Sequence, residues 1–208
     1  MSELPPLYLI TDRKQLAEAR LLLKVLEELL EAGVTMLQLR EKDLSGAELL
    51  PLARDIRELT KHYNCKLLIN DRVDVAMAVD ADGVHLGGNS VPPAVARERL
   101  GPNKLIGVST HSVTDILTAE RQGADFVTYG PVFYTPSKAA YGKPLGLDAL
   151  KTACTHSKLP VYGLGGIKRE NCSAVRNSGA HGVALISALL SAHSPFESCC
   201  RLLKILGS

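Results

Sequence analysis

Two glycine-rich turns in the last third of the chain have the composition of a phosphate site. Gly165 and Gly166 follow an apolar run at 161–164, and Ser187 follows another at 183–186. Glycine lets backbone N–H groups approach a phosphate closely, and a serine hydroxyl can donate to a phosphate oxygen or cap the following helix. The spacing therefore predicts a phosphate site built from these two turns. Plain turn chemistry is the alternative interpretation.

A long connection separates the apolar run at 126–129 from the next helical pattern. Segment 130–146 carries Lys138 and Lys143 among several glycines. It is far longer than the roughly 2–6 residues usual between a strand and a helix. Long loops of this kind often close over a ligand, so the two lysines could cover an anion and exclude water from it. The alternative is a surface excursion without function.

Polar residues also follow the other apolar runs, and two of the six histidines are among them. His85 and His111 end apolar runs, whereas the other four histidines lie in helical patterns or at their ends. For His85, a hydrogen-bonded position in the wall of the site is preferred over a role as general base.

The elements that must position these groups alternate between two patterns. Short runs rich in Leu, Val and Ile lack strict alternation, which is typical of parallel strands buried on both faces. They lie at 7–10, 36–39, 67–69, 83–86, 105–108, 126–129, 161–164 and 183–186. Helical patterns separate them, at 16–32, 47–63, 113–122, 147–155, 169–178 and 196–206, and less clearly after Arg72 and Pro92.

Eight strand-and-helix units in about 200 residues predict an α/β fold, a (β/α)8 barrel, with an open doubly wound sheet as the alternative. In such a barrel the functional groups gather at the carboxyl ends of the strands. The 208 residues predict one domain over 1–208, because the chain is too short for two ordinary domains. Barrel helices could present a face to a second copy, and periodicity alone identifies no such face.

Composition narrows the class of protein further. A net charge of +2, with charges interspersed, gives no reason to expect nucleic acid. No apolar stretch approaches the roughly 20 residues that span a bilayer, and no signal segment is recognisable at the start, so neither membrane insertion nor secretion is expected. Five cysteines without C-x-x-C spacing fit reduced thiols, and we expect a cytoplasmic protein.

Taken in order, the polar segments resemble those of the thiamin phosphate synthase and thiazole tautomerase superfamily, a group of (β/α)8 barrels. The resemblance covers nearly the whole chain. It is carried by the segments LYLITD at 7–12, QLREK at 38–42, NDR at 70–72, GPVF at 130–133, TPSK at 135–138, GGI at 165–167 and IS at 186–187. Synthases of this superfamily join the diphosphate of a hydroxymethylpyrimidine to a thiazole phosphate and release pyrophosphate.

The resemblance also implies roles for individual residues, with small phosphorylated molecules as the binding partners. The pyrimidine diphosphate would contact Gln38, Arg40, Lys42, Asn70, Ser109 and Lys138. The thiazole phosphate would contact Thr135, Ser137, Gly166, Ile186 and Ser187. Loss of pyrophosphate leaves a pyrimidinyl methyl cation, so the leaving charge needs fixed cations and the exclusion of water. Arg40, Lys42 and Lys138 would be the catalytic cations.

The resemblance further implies Mg²⁺ held by two aspartates. Asp71 matches the first, but Ser90 stands where the second carboxylate is expected. Because substrate phosphates and water complete the Mg²⁺ shell, binding is expected to be weakened or rearranged. This departure raises a metal-free thiazole tautomerase as an alternative, although Pro131 stands where the tautomerases used for comparison have a histidine. A non-catalytic sensor of a phosphorylated ligand is a further alternative.

Overall fold

The computed structural model describes residues 4–16, 22–136 and 143–207 of the chain. Its eight strands are all parallel and close into a barrel in sequence order, with the last strand paired to the first. The strands are β1 Leu7–Ile10, β2 Met36–Leu39, β3 Lys66–Asn70, β4 Gly83–Leu86, β5 Leu105–Thr110, β6 Phe126–Tyr129, β7 Val161–Leu164 and β8 Gly182–Leu185. The predicted (β/α)8 barrel is confirmed, and the open sheet is wrong.

Helices cover the outside of the barrel. Within the described residues they are α1 Leu22–Glu31, α2 Gly46–His62, α3 Val73–Ala78, α4 Pro93–Leu100, α5 Val113–Arg121, α6 Gly146–His156, α7 Cys172–Asn177, α8 Ser187–Leu190 and α9 Pro195–Leu206. The first helix was predicted to begin at Leu16, and this is wrong. A short 3-10 helix, Arg13–Gln15, ends there, and Leu16 itself has an extended backbone.

Two apolar layers follow from the alternation of side chains along each strand. Tyr8, Met36, Leu68, Phe126 and Tyr162 fill the interior of the barrel, while Leu, Ile and Val from the opposite strand faces pack against the helices. Because both faces of every strand are covered, the strands read as unbroken apolar runs in the sequence. The eighth strand ends at Leu185, one residue before the predicted end.

The amino end of the barrel is sealed by backbone contacts and ion pairs. The Tyr162 hydroxyl donates to the carbonyl of Pro5 at 2.6 Å, and the Val183 N–H donates to Pro6 at 2.9 Å. Beside them, Asp82 accepts from Arg57 at 2.6 Å and from the Leu67 N–H at 2.8 Å. These contacts serve stability and leave the opposite end open for function.

In the part of the chain that the structure describes, no helix combines the length and apolar character needed to cross a bilayer.

Candidate active site

The ends of β1 and β2 are tied together by hydrogen bonds that fix the first predicted ligand-binding segment. Thr11 Oγ1 accepts from the backbone N–H of Arg40 at 2.9 Å. The Glu41 carboxylate turns inward and accepts from the backbone N–H of Arg13 at 3.1 Å. The neighbouring cleft has a volume of about 240 Å³ and is lined by Asp12, Lys14, Arg40, Glu41, Lys42 and Asp43.

The cations of this cleft fall into two groups. Arg13 and Lys14 are neutralised by Asp43, at 2.9 and 3.3 Å. Arg40 and Lys42 have no carboxylate partner among residues 4–16, 22–136 and 143–207. Cations without a counter-charge attract anions, so this edge of the barrel is suited to a phosphorylated ligand.

A second predicted group, Gln38 with Ser109, lies deeper, at the top of the barrel interior. Gln38 donates from Nε2 to the Tyr8 hydroxyl at 2.8 Å. The same hydroxyl lies 3.3 Å from His85 Nδ1, and His85 Nε2 lies 3.0 Å from Ser109 Oγ. Four side chains from β1, β2, β4 and β5 therefore form one buried hydrogen-bonded chain across the barrel.

Burial decides the protonation state of this chain. It lowers the pKa of His85 to about 3 and raises the pKa of Tyr8 well above its usual value. Arg40 adds to the lowering for His85, and Asp71 opposes it. At neutral pH the imidazole is uncharged and is a poor proton acceptor. The geometry agrees with the predicted wall position of His85 and does not favour a general base.

The carboxylate of Asp71 is held by its neighbours at the end of β3. Asn70 Nδ2 donates to Oδ2 at 2.8 Å, and the Gly87 N–H donates to Oδ1 at 3.2 Å. The Ser90 hydroxyl donates to the same Oδ1, and its own oxygen accepts from the Gly87 N–H at 2.7 Å. Asp71 has a φ of 59°, the left-handed conformation that aspartate tolerates better than most residues.

The oxygen atoms of Asp71 and Ser90 are the donors that could bind Mg²⁺. In the described residues, no group of three or more His, Cys, Asp or Glu side chains could hold a metal ion. The oxygens of Asp71 and Ser90 are hard donors, and Mg²⁺ accepts one or two carboxylates when phosphates and water supply the remaining ligands. The residues therefore fit a Mg²⁺ ion shared with a phosphorylated substrate and do not form a closed protein cage.

The predicted phosphate turn lies against the start of the long loop. The Phe133 N–H donates to the Gly165 carbonyl at 3.0 Å, and Asn171 Nδ2 donates to the Gly166 carbonyl at 3.1 Å. Gly166 has a φ of 63°, and a Cβ there would lie 2.5 Å from the carbonyl oxygen of Tyr134. Glycine is required here by both conformation and space.

The other residues that were predicted to bind the thiazole phosphate differ in exposure and in their place in the structure. Ser187 is exposed at the first position of the four-residue α8, directly after Ile186, and Thr135 is half-buried in the long loop. Lys143 is exposed, and the His111 ring contacts the Gly130 carbonyl. Ser137 and Lys138 lie outside the described residues. The interpretation of segment 130–146 as a loop that closes over a ligand stays a prediction.

The sequence did not identify Tyr8, a member of the buried chain, or Thr128, which lies beside it. Tyr8 was quoted only within a strand motif, and Thr128, whose hydroxyl lies 3.5 Å from His85 Nε2, was not singled out. A signal was present, because inward residues alternate along a strand. Tyr8 is two residues before Ile10, which pairs in register with Gln38.

A closed (β/α)8 barrel with glycine turns at its carboxyl end, and with cations there that have no carboxylate partner in the described part of the chain, defines an enzyme that binds anionic ligands at that end. A family model described as thiamine monophosphate synthase matches residues 7–189. The chain therefore belongs to the thiamine monophosphate synthase family.

Individual relatives agree with this assignment. The chain is 54% identical over 200 residues to a putative thiamine-phosphate synthase from Geobacter sulfurreducens, covering 96% of this chain and 93% of the relative. It is 43% identical over 184 residues to the thiamine-phosphate synthase of Clostridium novyi, covering 88% and 90%. The structure of thiamine phosphate pyrophosphorylase from Pyrococcus furiosus superposes with a TM-score of 0.87 at 38% identity, covering 97% of this chain and 95% of that one.

Proposed function

We propose that this enzyme joins the diphosphate of a hydroxymethylpyrimidine to a thiazole phosphate, forming thiamin phosphate and releasing pyrophosphate. Membership in the family supports this transferase activity, as do relatives that cover nearly the whole chain. The observation that carries the proposal within the structure is the pair of cations Arg40 and Lys42, which have no carboxylate partner among the described residues and line the cleft at the end of β2, next to the strand that Asp71 follows. A diphosphate is the ligand that this charge arrangement suits.

The chemistry requires stabilisation of a leaving group. The bond between the pyrimidine methylene carbon and the diphosphate oxygen breaks, and its electron pair leaves with pyrophosphate. The thiazole nitrogen then donates its lone pair to the carbocation and forms the new C–N bond. Arg40, Lys42 and Lys138 act on the charge that develops on the leaving oxygen, and they act best where water is excluded.

Two groups of residues bind the substrates in this proposal. The pyrimidine diphosphate lies against the ends of β2, β3 and β5, and its ligands are Gln38, Arg40, Lys42, Asn70, Ser109 and Lys138. The thiazole phosphate lies at the turns after β7 and β8 and the facing part of the long loop, and its ligands are Thr135, Ser137, Gly166, Ile186 and Ser187. Support comes from the place of Gly165 and Gly166 in the turn after β7, at the carboxyl end of the barrel.

Magnesium belongs to the proposal as a substrate-linked ion. Asp71 would hold it, with the Ser90 hydroxyl as a neutral neighbour, and a bound Mg²⁺ would neutralise charge on the diphosphate. Asn70 and Gly87 orient the Asp71 carboxylate through the hydrogen bonds described above. The single protein carboxylate predicts a weak site in the absence of substrate.

The test is formation of thiamin phosphate from the two substrates, with and without Mg²⁺. Turnover is expected, and Lys138→Ala should lower it by about 10²-fold or more, because a cation at the leaving group acts mainly in the transition state. Lys158→Ala is the matched control, since Lys158 pairs with Glu120 at 3.5 Å on the outer surface. Wild-type turnover in the Lys138 variant would remove that lysine from the mechanism.

The same assay separates the alternatives. Isomerisation of the thiazole without condensation would identify a tautomerase, and tight binding without either reaction would identify a sensor. The relatives, which are named as thiamine-phosphate synthases, favour the synthase over both.

The cellular compartment and the assembly of the enzyme are also part of the proposal. Cys65, Cys154, Cys172, Cys199 and Cys200 are free thiols, which supports a reducing compartment such as the cytoplasm. Residues 1–208 are interpreted as one domain whose binding partners are its small phosphorylated substrates. Self-association into a homo-oligomer is the assembly to be tested. Sedimentation of the purified chain would measure its oligomeric state.

A further inference from the structure

The buried chain Gln38–Tyr8–His85–Ser109 has a direction, and that direction follows from counting protons. Gln38 Nε2 can only donate, so the Tyr8 oxygen accepts at 2.8 Å. The single proton of the Tyr8 hydroxyl is then available for His85 Nδ1, which lies 3.3 Å away. Gln38, Tyr8 and His85 are 1%, 0% and 3% exposed, so water cannot replace any of these partners.

The direction of the hydrogen bond between His85 and Ser109 follows from the direction of the bond between Tyr8 and His85. Because Nδ1 of His85 accepts, the ring proton lies on Nε2 and points to Ser109 Oγ at 3.0 Å. A doubly protonated ring would leave the buried phenol proton of Tyr8 without an acceptor, which is costly inside a protein. The chain therefore runs from Gln38 through Tyr8 and His85 to Ser109.

Both ends of this chain keep hydrogen-bonding capacity, since Gln38 retains its oxygen and a second Nε2 hydrogen and Ser109 retains its proton and one lone pair. The Gln38 amide has committed a hydrogen to Tyr8, and its oxygen meets no donor among the residues that the structure describes. Ser109 Oγ accepts from His85, so its own proton remains for another acceptor. The Gln38 oxygen as acceptor and the Ser109 proton as donor are therefore available to a ligand at the carboxyl end of the barrel.

Packing holds the two central rings in place. The Tyr8 ring lies edge-on to Phe126 at a centroid distance of 5.4 Å, and the His85 ring lies 5.9 Å from the same phenylalanine. A Cβ at Gly107 would lie 2.6 Å from His85 Nδ1 and 2.3 Å from the Phe126 ring. The absence of a side chain at Gly107 is what allows His85 to point along the chain.

We propose that Tyr8 and His85 are positioning residues that orient the Gln38 amide oxygen as an acceptor and the Ser109 hydroxyl as a donor. An aminopyrimidine carries the matching functions, an exocyclic N–H₂ that donates and a ring nitrogen that accepts. In the oxo analogue a carbonyl replaces the N–H₂, so the Gln38 oxygen, fixed by the bond of Nε2 to Tyr8, faces a second acceptor. This proposal rests on the proposed function in taking a pyrimidine diphosphate as the ligand.

The first experiment needs no activity. Nitrogen NMR of the ¹⁵N-histidine-labelled protein distinguishes a protonated Nε2 from a protonated Nδ1, and a His85→Gln variant assigns the signal. The expected result is the Nε2–H form in the wild type. An Nδ1–H ring in the wild type would reverse the chain and overturn the proposal.

Two tyrosine variants then test positioning. Tyr8→Phe removes the link, so we expect a mixture of His85 tautomers and a KM for the pyrimidine diphosphate raised about tenfold, with kcat changed much less. Tyr162→Phe is the matched control, because it also loses a buried phenol hydrogen bond, at 2.6 Å to Pro5, but keeps the ring that packs 5.8 Å from Tyr8 and removes no hydrogen bond of the chain. Equal effects in the two variants would indicate a structural role only.

Binding measurements separate this proposal from the proposed function. Calorimetry with the aminopyrimidine diphosphate and its oxo analogue should show at least about tenfold tighter binding of the amino form, as expected for a site whose polar groups are left unpaired by the wrong partner. That preference without condensation would sink the synthase activity and leave the positioning role intact. Condensation together with equal binding of the two compounds would contradict the positioning role alone.

Discussion

The Ser90 hydroxyl donates a hydrogen bond to Oδ1 of Asp71, the same oxygen that accepts the Gly87 N–H at 3.2 Å. Ser90 is thus a direct neighbour of the carboxylate to which the proposed Mg²⁺ is assigned. A serine contributes no charge to Mg²⁺, and its hydrogen bond stabilises the metal-free carboxylate. The contact therefore lowers the tendency of Asp71 to bind a cation before the diphosphate arrives.

Replacing Ser90 with aspartate should strengthen the metal site. Ser90→Asp adds a second anionic oxygen beside Asp71, and we expect a gain in Mg²⁺ binding of about 1–3 kcal/mol, comparable to one charge-assisted contact. The Mg²⁺ concentration for half-maximal activity should fall, and Asp71→Asn should raise it. Calorimetry of Mg²⁺ with pyrophosphate present measures the same shift without turnover. An activity that is independent of Mg²⁺ in all three proteins would rule out the proposed metal.

A side chain at Gly166 should weaken thiazole phosphate binding selectively. Gly166→Val places a Cβ 2.5 Å from the Tyr134 carbonyl and fills the turn proposed for the phosphate. Loss of hydrogen bonds to a charged group, about 1.5–3 kcal/mol, predicts a rise in Kd of roughly 10- to 100-fold, with unchanged binding of the pyrimidine diphosphate. Calorimetry measures both.

Gly123→Val is the control for backbone strain in that experiment. Gly123 also has a positive φ, 80°, but a Cβ there meets nothing within 4 Å and the residue lies far from the carboxyl end of the barrel. The opposite ligand preference in Gly166→Val would move the thiazole phosphate elsewhere.

The buried His85 should make stability depend on pH. Its folded pKa of about 3 lies below the unfolded value near 6.5, so the unfolded chain binds the proton first. Stability is complete above pH 6.5 and falls towards pH 3, by about 1.4 kcal/mol for each pH unit inside that window. Denaturant titrations at several pH values should show this slope reduced by that amount in His85→Gln. As a control, replacing the exposed His156 with glutamine should keep the wild-type slope. An unchanged slope in His85→Gln would show that the His85 ring takes up its proton readily in the folded state.

The side-chain contacts at the amino end of the barrel should contribute to the stability of the fold and not to catalysis. Asp82→Asn weakens the contact to the buried Arg57 and should lower the free energy of unfolding by about 1.5–3 kcal/mol, the range for hydrogen bonds to charged groups. Asp80→Asn removes an exposed pair with Lys104, where about 0–1 kcal/mol is expected. Chemical denaturation measures both variants. A kcat lowered in Asp82→Asn at a temperature where it is fully folded would contradict the division between the two ends.

The alternation of apolar runs with helical patterns determined the barrel, because each strand is buried on both faces and each connection must cross back over the sheet. The same alternation located β1, β2, β4, β6 and β7 to the residue, whereas β3 and β8 differ by one residue at each end and β5 extends two residues further. Strand ends are set by hydrogen bonds to neighbouring strands, such as Thr110 with Tyr129, which the local sequence does not contain.

The candidate site, like the fold, was predictable from the sequence only in part. Residue types and their order along the chain were enough to place Arg40, Asn70, Asp71 and Gly166 at one end of the barrel, since all parallel strands present their carboxyl ends there. Only the tertiary structure decided that Arg13 is neutralised by Asp43 while Arg40 is not, and that Tyr8 links Gln38 to His85 across the barrel. These relationships join residues from different strands, and their distances depend on how the barrel closes, which no local pattern in the sequence records.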